Sequence, residues 1–206
     1  LEADPDHYEK CWAHCDVLVI GAGPAGLAAA LTAARTGARV ILADENFVLG
    51  GRCLAERRTI DGQPAADWAA QAIAELRSMP DVRLFPRTTV FGVFDDGVHG
   101  AVERVNDHLP VPPEFQPRQR VWRFIAKQTV LASASTERPL VFGNNDLPGI
   151  MLAGAVRTYL NRYAVLPGRR AVVFTDNDDG WTTAADLVAA GGQVAAIVDS
   201  REPVIV

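Results

Sequence analysis

The 206-residue sequence contains only three cysteines, Cys11, Cys15 and Cys53. So small and odd a number excludes a disulfide framework and predicts free thiols in a reducing, cytoplasmic compartment. Cys53 has no second cysteine at C-x-x-C spacing, which argues against a redox disulfide. Long hydrophobic runs are also missing. The longest apolar stretches are short strands and an Ala-rich helix, well below the roughly 20 residues needed to cross a bilayer, so no membrane association is expected. Positive charge is not in surplus: 20 Lys and Arg stand against 25 Asp and Glu, a net charge of -5. That leaves no electrostatic footprint for nucleic acid. The opening residues Leu1 to Asp6 lack the basic and apolar regions of a secretory signal. They also lack an initiator Met, so a piece of a longer chain is expected. Histidines number four. His7 and His14 fall near Cys11 and Cys15 at no usual zinc spacing, so residues 1–15 read as a linker without metal. His99 and His108 have no acid or nucleophile at a telling spacing and read as surface or turn residues.

What is present begins at Asp16. Val17 to Ile20 is a continuous apolar run, the pattern of a parallel strand buried on both faces. Gly21-Ala22-Gly23-Pro24-Ala25-Gly26 follows, then an Ala- and Leu-rich helix from Pro24 to Thr36 closed by Gly37, then a strand that ends at Asp44. In this G-x-G-x-x-G turn, Gly21 permits the tight turn, Gly23 lets backbone approach a pyrophosphate, and Gly26 allows helix and strand to pack closely. The free N–H groups at the helix start favour an anion. Asp44 stands where an acid hydrogen-bonds a ribose, and its charge would repel a 2′-phosphate. The pattern therefore predicts an ADP-containing dinucleotide such as NAD or FAD rather than NADP. Beyond Asp44 and Glu45, the pair Gly50-Gly51 lets backbone pass near a ligand, and Arg52 offers a planar fork to phosphate. Its charge would also lower the pKa of the neighbouring Cys53 thiol.

Further along, Pro64 to Met79 reads as a helix stopped by Pro80, with Trp68, Ala69, Ala72, Ile73 and Leu76 on one side. Val82 to Phe85, Thr88 to Val93 and Gly100 to Val105 read as strands, with a turn at Asp95-Asp96-Gly97. Leu109 to Pro117 carries four prolines and reads as a loop. Arg120 to Ala126 and Gln128 to Ala132 read as two more strands, and Pro148 to Tyr163 contains a packing helix. After the turn Pro167-Gly168, a second strand–helix–strand begins, with a strand from Ala171 to Thr175, a helix from Trp181 to Ala190 and a strand from Val194 to Val198. Its turn, Asp176-Asn177-Asp178-Asp179-Gly180, puts three acids where a pyrophosphate would sit, so this module is expected to bind no dinucleotide. The expected fold is α/β. A Rossmann-like FAD/NAD(P)-binding domain with an antiparallel β excursion spans 16–167, and the start of a second, incomplete βαβ nucleotide-binding-like module spans 168–206.

The glycine turn, Gly50-Gly51-Arg52, Thr89-Val90 and the strand at Thr129 to Ala132 resemble the two-dinucleotide-binding flavoprotein superfamily. His14 to Val19, Glu137 to Met151 with its Asn144-Asn145-Asp146-Leu147-Pro148-Gly149 segment, and Ala153 to Tyr163 resemble more narrowly the alpha subunits of heterotetrameric sarcosine oxidases. That resemblance covers nearly the whole chain. It implies a far longer subunit, with a small domain upstream, a folate-binding domain downstream, and a later chain segment that returns to complete the first domain. It implies NAD at the glycine turn, where other relatives hold FAD, and sarcosine oxidation at flavin on a separate beta subunit, with tetrahydrofolate accepting the one-carbon unit. The NAD ligands it implies are Gly21, Gly23, Pro24, Ala25, Gly26, Asp44, Glu45, Gly51, Arg52, Thr89 and Val90, with Val90 backbone toward adenine. No catalytic residue has a warrant here. Where such relatives carry Ala-Thr-Gly, this chain has Ala132-Ser133-Ala134, which places a methyl group where backbone meets ligand. Two other readings remain: the FAD-binding alpha subunit of a related amino-acid or opine dehydrogenase, and a scaffold whose nucleotide is only architectural.

Overall fold

The structure is a computed structural model that describes residues 6–202. Within them the chain divides into two units, one of residues 6–53 and 59–134, the other of residues 54–58 and 135–202.

The first unit is built on two long parallel strands, β1 (Tyr8–Ile20) and, from the far end of the unit, a partner at Gln119–Leu131. The C-terminal half of β1 carries β2 (Val40–Ala43), which pairs with it from Val17 onward. Two short strands, β3 (Thr59–Ile60) and β4 (Gln63–Pro64), form a separate hairpin, and β5 (Val82–Phe85) extends the sheet beyond β2. The N-terminal half of the Gln119–Leu131 strand carries an antiparallel meander, β6 (Thr88–Val93) and β7 (Val98–Arg104). With Gln119–Leu131 as β8, the six-stranded order is β5-β2-β1-β8-β7-β6.

Side chains alternate across this sheet, as the strand period of two requires. Val19, Val40 and Leu42 pack under α1 (Pro24–Arg35) and α2 (Ala65–Ser78), with Leu27 and Leu76 fully buried. Leu18, Ile41 and Ala43 face the other way, onto Phe85, Trp122 and Phe124. Phe85 meets Trp122 edge-on at 5.1 Å between centroids, a favourable quadrupole geometry, and the Trp122 indole N–H donates to Glu103 at 2.7 Å. Burial on both faces is why Val17 to Ile20 reads as an unbroken apolar run. Where the two halves of the ladder meet, Asp16 accepts from Arg39 and Lys127, and hydrogen bonds from Arg39 above all hold its carboxyl well below the usual carboxylate range. That stabilisation is present above the ordinary carboxylate pKa and is lost only as pH falls through the depressed value.

The structure corrects several expectations. Residues 8–15 are not linker but the first half of β1, with Ala13 and Cys15 buried and Trp12 and His14 exposed; residues 1–5 lie outside the described residues. The two strands expected around Lys127 are one, because Lys127 reaches the Asp16 carboxylate without breaking the ladder. His99, expected at the surface, is 3% exposed: its ring nitrogens lie 3.0 Å from the Gly97 carbonyl oxygen and 3.1 Å from the Thr129 hydroxyl.

Cys15 and Cys53 are buried, and Cys11 is half-buried. Cys53, read as a thiol beside a cation, packs in the helix-side core. Burial pushes the Cys15 thiol from 9.0 up to about 11. A raised folded-state pKa contributes stability that is full below the unfolded value and is lost as pH rises from about 9 toward 11. Titration of the native protein with a thiol reagent at neutral pH is therefore expected to label Cys11 and to spare Cys15 and Cys53 until unfolding. Fast labelling of Cys15 would overturn this.

In the second unit, α3 (Ala153–Arg157) continues into a π-helical turn at Thr158–Arg162. The parallel pair β9 (Arg170–Thr175) and β10 (Gln193–Asp199) is bridged by α4 (Asp178–Ala189). Leu160, Val173, Ala184 and Leu187 form its core, which draws the α3 segment into this unit and moves the break from the expected 167 to Ala134–Ser135. The Glu137 carboxylate accepts from Ala153 and Gly154 N–H at 2.9 and 2.8 Å and so satisfies the start of α3. Residues 55–58 also belong here, because side chains of α3, the π turn and α4 hold them.

Candidate functional site

The turn between β1 and α1 explains its own glycines. Gly21 has φ +100°, and a Cβ there would lie 2.4 Å from the Ala132 carbonyl oxygen. A Cβ on Gly26 would lie 1.8 Å from the Gly21 carbonyl oxygen, so only hydrogen lets α1 sit against the turn. Gly23 differs: it has φ -72°, and a Cβ there would meet nothing within 4 Å. No internal contact requires glycine at that position, and the space beside it is open.

The Gly50-Gly51 loop lies against the same turn. Gly50 N–H donates to the Ala22 carbonyl at 2.9 Å. Gly51, at φ +51°, would place a Cβ 2.8 Å from the Gly23 Cα. Arg52 follows, exposed, on a single turn of 3-10 helix, Gly51–Leu54.

Asp44 closes the other side. Its Oδ2 accepts from Ala22 N–H at 2.6 Å and its Oδ1 from Asn46 N–H at 2.8 Å. The acid assigned to a ribose thus also ties the end of β2 to the glycine turn, and each oxygen keeps a further lone pair for a hydroxyl. Thr88 N–H donates to the Asp44 carbonyl at 2.8 Å, which starts β6 beside the acid. Thr89 and Val90 come next, paired with Val102 and Ala101. Glu45 is exposed, and its carbonyl accepts from Arg104.

The turn, Asp44 and the Gly-Gly loop are therefore joined by hydrogen bonds or close backbone packing, and the start of β6 by Thr88. Sequence reasoning placed Gly50 beside the ligand but missed that its N–H ties the loop to Ala22, and missed Ala22 itself, whose contribution is made by backbone groups. The β8 end, Ala132-Ser133, also covers Gly21.

The helix that starts at this turn has Gly23 as N-cap, no side-chain cap and no acid in its first turn. An unsatisfied helix start of this kind suits an anion. The second unit offers the opposite arrangement. Asn177 caps α4 by accepting from Asp179 N–H at 3.0 Å, and Asp178 and Asp179 fill its first turn. Asp178 pairs with Arg201, and Asp179 with Arg157 and Arg58.

Ala134 takes φ +60°, the left-handed region that costs a side-chain-bearing residue roughly 1–2 kcal/mol. Ala134→Gly is expected to raise first-unit stability by about 0.5–1 kcal/mol after the entropy of glycine is subtracted. A urea midpoint that is unchanged or lower would contradict it.

Among the described residues, no group of three or more His, Cys, Asp or Glu is placed to hold a metal ion, and no helix is long and apolar enough to cross a membrane. Two open clefts of about 490 and 500 Å³ lie beside Arg83–Trp122 and His14–Lys127, and neither includes the glycine turn.

A parallel sheet with an antiparallel meander and a glycine turn at the head of α1 defines a dinucleotide-binding domain of the flavoprotein oxidoreductase type. The chain belongs to the FAD dependent oxidoreductase family, which matches residues 16–131. It is 60% identical over 97% of its length to the sarcosine oxidase subunit alpha of Rhizobium meliloti (strain 1021), and 49% identical over 98% to that of Corynebacterium sp. (strain P-1). It spans 20% and 21% of those two chains. Among solved structures, the L-proline dehydrogenase of P. horikoshii is similar in fold, with a TM-score of 0.74 at 23% identity over 98% of this chain and 39% of that one.

Proposed function

We propose that this chain is the dinucleotide-holding part of a sarcosine oxidase-type alpha subunit, and that the dinucleotide is NAD. The observation that carries the reading is the contrast between the two helix starts: α1 is uncapped, free of acid and open at Gly23, whereas α4 is filled by its own side chains. Amides at the head of α1, with Gly21, Pro24, Ala25 and Gly26 shaping the approach, hold the pyrophosphate. Asp44 accepts from the ribose while it braces Ala22. Gly51 and Arg52 line the loop side, Glu45 stands beside the ribose acid, and Thr89 and Val90 present β6 backbone toward adenine. When bound, NAD supplies a nicotinamide able to accept hydride. No residue of this chain is assigned a proton or a bond to move. Oxidation of sarcosine is assigned to flavin on a partner beta subunit, with tetrahydrofolate taking the one-carbon unit in another part of the complex. The assembly is proposed to be a cytoplasmic heterotetramer.

A second reading puts FAD at the same turn, and membership in an FAD dependent family favours it. Ligand released by denaturing the purified full-length alpha subunit is expected to have the mass of NAD and no absorption in the visible blue. A released flavin would replace NAD with FAD, and absence of either would overturn the dinucleotide site itself.

A further inference from the structure

Residues directly opposite one another on paired strands point to the same side of a sheet. In the first unit, Trp12 stands opposite Arg123, Arg123 opposite Gly100, and Gly100 opposite Gly92, so one rung crosses β1, β8, β7 and β6. One residue along, Ala13, Phe124 and Ala101 turn into the core. Trp12 and Arg123 therefore face outward, and two rings cover the glycine end of the rung. A Cβ on Gly100 would lie 2.7 Å from the Phe91 ring, and one on Gly92 would lie 2.9 Å from the Phe94 ring. Trp12, Phe91 and Phe94 are nonetheless each more than half exposed. The Arg123 guanidinium lies 5.5 Å from the centre of the Trp12 ring, in cation–π geometry.

The rungs on either side share this face. One joins Lys10, Val121 and Val102, and the other joins His14, Ile125 and Val98. None of these outward positions is an acid. Glu9 and Glu103 turn to the other side, where Arg120 pairs with both. Among the described residues, Lys10 and Arg123 have no ion pair. In a chain of net charge -5, these three rungs carry positive charge alone.

Single exposed apolar residues need no explanation, but a contiguous patch of them marks an interaction site. Covering Gly92 and Gly100 accounts for where the two Phe rings lie. It does not account for an outward Trp12 with an unpaired arginine at its side. Aromatic residues and Arg are enriched in protein interfaces, and Trp and Arg most often carry their binding energy. Two unpaired cations are too few for the run of phosphate contacts that nucleic acid binding relies on. They suit an opposing surface with an apolar centre and carboxylates beside it.

We propose that this face of the meander docks a partner subunit, whose contacting surface is apolar where it meets Trp12, Phe91 and Phe94 and acidic where it meets Arg123 and Lys10. The proposal rests on the reading of this chain as part of an alpha subunit in a hetero-oligomeric oxidase.

The test uses the full-length alpha subunit purified in its assembly. With photoreactive benzoylphenylalanine in place of Trp12, crosslinks to another subunit are expected, identified by mass spectrometry of the joined peptides. Trp12→Ala and Arg123→Glu are each expected to weaken subunit association by about 10- to 100-fold, read by native mass spectrometry over a dilution series. Arg123→Gln should lose less than Arg123→Glu, because it removes a charge without setting like charges together. Val111→Ser, which removes an exposed apolar side chain on the proline-rich loop, should assemble as wild type. Should the Trp12 variants fail to fold, Arg123→Glu and Arg123→Gln carry the same test. Crosslinks confined to one alpha chain, joining two alpha chains or capturing an added oligonucleotide would overturn the proposal. Undiminished association in folded Trp12→Ala and Arg123→Glu would do the same. A wild-type alpha subunit that purifies with no partner overturns the assembly reading itself, whereas an intact wild-type assembly with these negative results overturns the docking face alone.

Discussion

Gly23→Ala is expected to weaken dinucleotide binding on the order of 100-fold, about 2.8 kcal/mol, while the ligand-free protein keeps its stability to within about 0.5 kcal/mol. The two halves of this expectation have separate causes. A methyl group on Gly23 meets no protein atom within 4 Å, and the residue's extended backbone suits alanine. The same methyl points into the space beside the open start of α1, where the approach of a phosphate requires backbone alone. Gly26→Ala is the counterpart. Its Cβ would lie 1.8 Å from the Gly21 carbonyl oxygen, so α1 must move off the turn, at a cost of about 3 kcal/mol or more before any ligand is added. Calorimetric titration and urea unfolding of both variants separate the effects. Tight binding retained by Gly23→Ala would remove the site from α1. NAD captured at the Asp176–Gly180 turn would then be the result to look for, against the expectation that its capped and acid-filled helix start repels an anion.

Asp44→Ala carries the second large effect, and part of it needs no ligand. Ala22 is fully buried, and its N–H has the Asp44 carboxylate at 2.6 Å. Removing the carboxylate leaves that donor unpaired, which costs about 1–3 kcal/mol. Asn46 loses its acceptor in the same step. The ribose loses its acceptor as well, so affinity should fall by a further factor on the order of 10. Asp44→Asn keeps one carbonyl oxygen and should fall between the two. Ligand-free stability indistinguishable from wild type in Asp44→Ala would show that the acid does not brace the turn.

Much of the first unit was legible because its signals are local. The G-x-G-x-x-G spacing, the Pro at the head of α1, the Pro beyond α2 and the Asp95-Asp96-Gly97 turn after β6 each act within a few residues. The structure begins and ends those elements within about two residues of the expected positions. What escaped was non-local. Residues 8–15 alternate between exposed and buried positions, but their polar side chains hide a strand whose partner begins at Gln119. His99 is buried because β8 places Phe124 opposite it and brings the Thr129 hydroxyl to its ring, a pairing that no short window contains. The assignment of residues 54–58 to the second unit depends on ion pairs with α3 and α4, far along the chain. At the site, the residue types pointed to an ADP-containing ligand, yet the hydrogen bonds by which Asp44 braces Ala22 and Asn46 could not be read. An aspartate that bends back to an amide and one that reaches outward have the same sequence.

The long pairing of β1 with β8 has a consequence for biosynthesis. Its rungs run without a shift in register from Tyr8 opposite Gln119 to Ile20 opposite Leu131. The strand made first thus waits for nearly the whole unit to leave the ribosome before its neighbour exists. Contacts of such wide separation in the chain are slow to form, and an edge left unpaired meanwhile is open to wrong association. Nascent chains stalled short of Leu131 should therefore be the ones that chaperones hold.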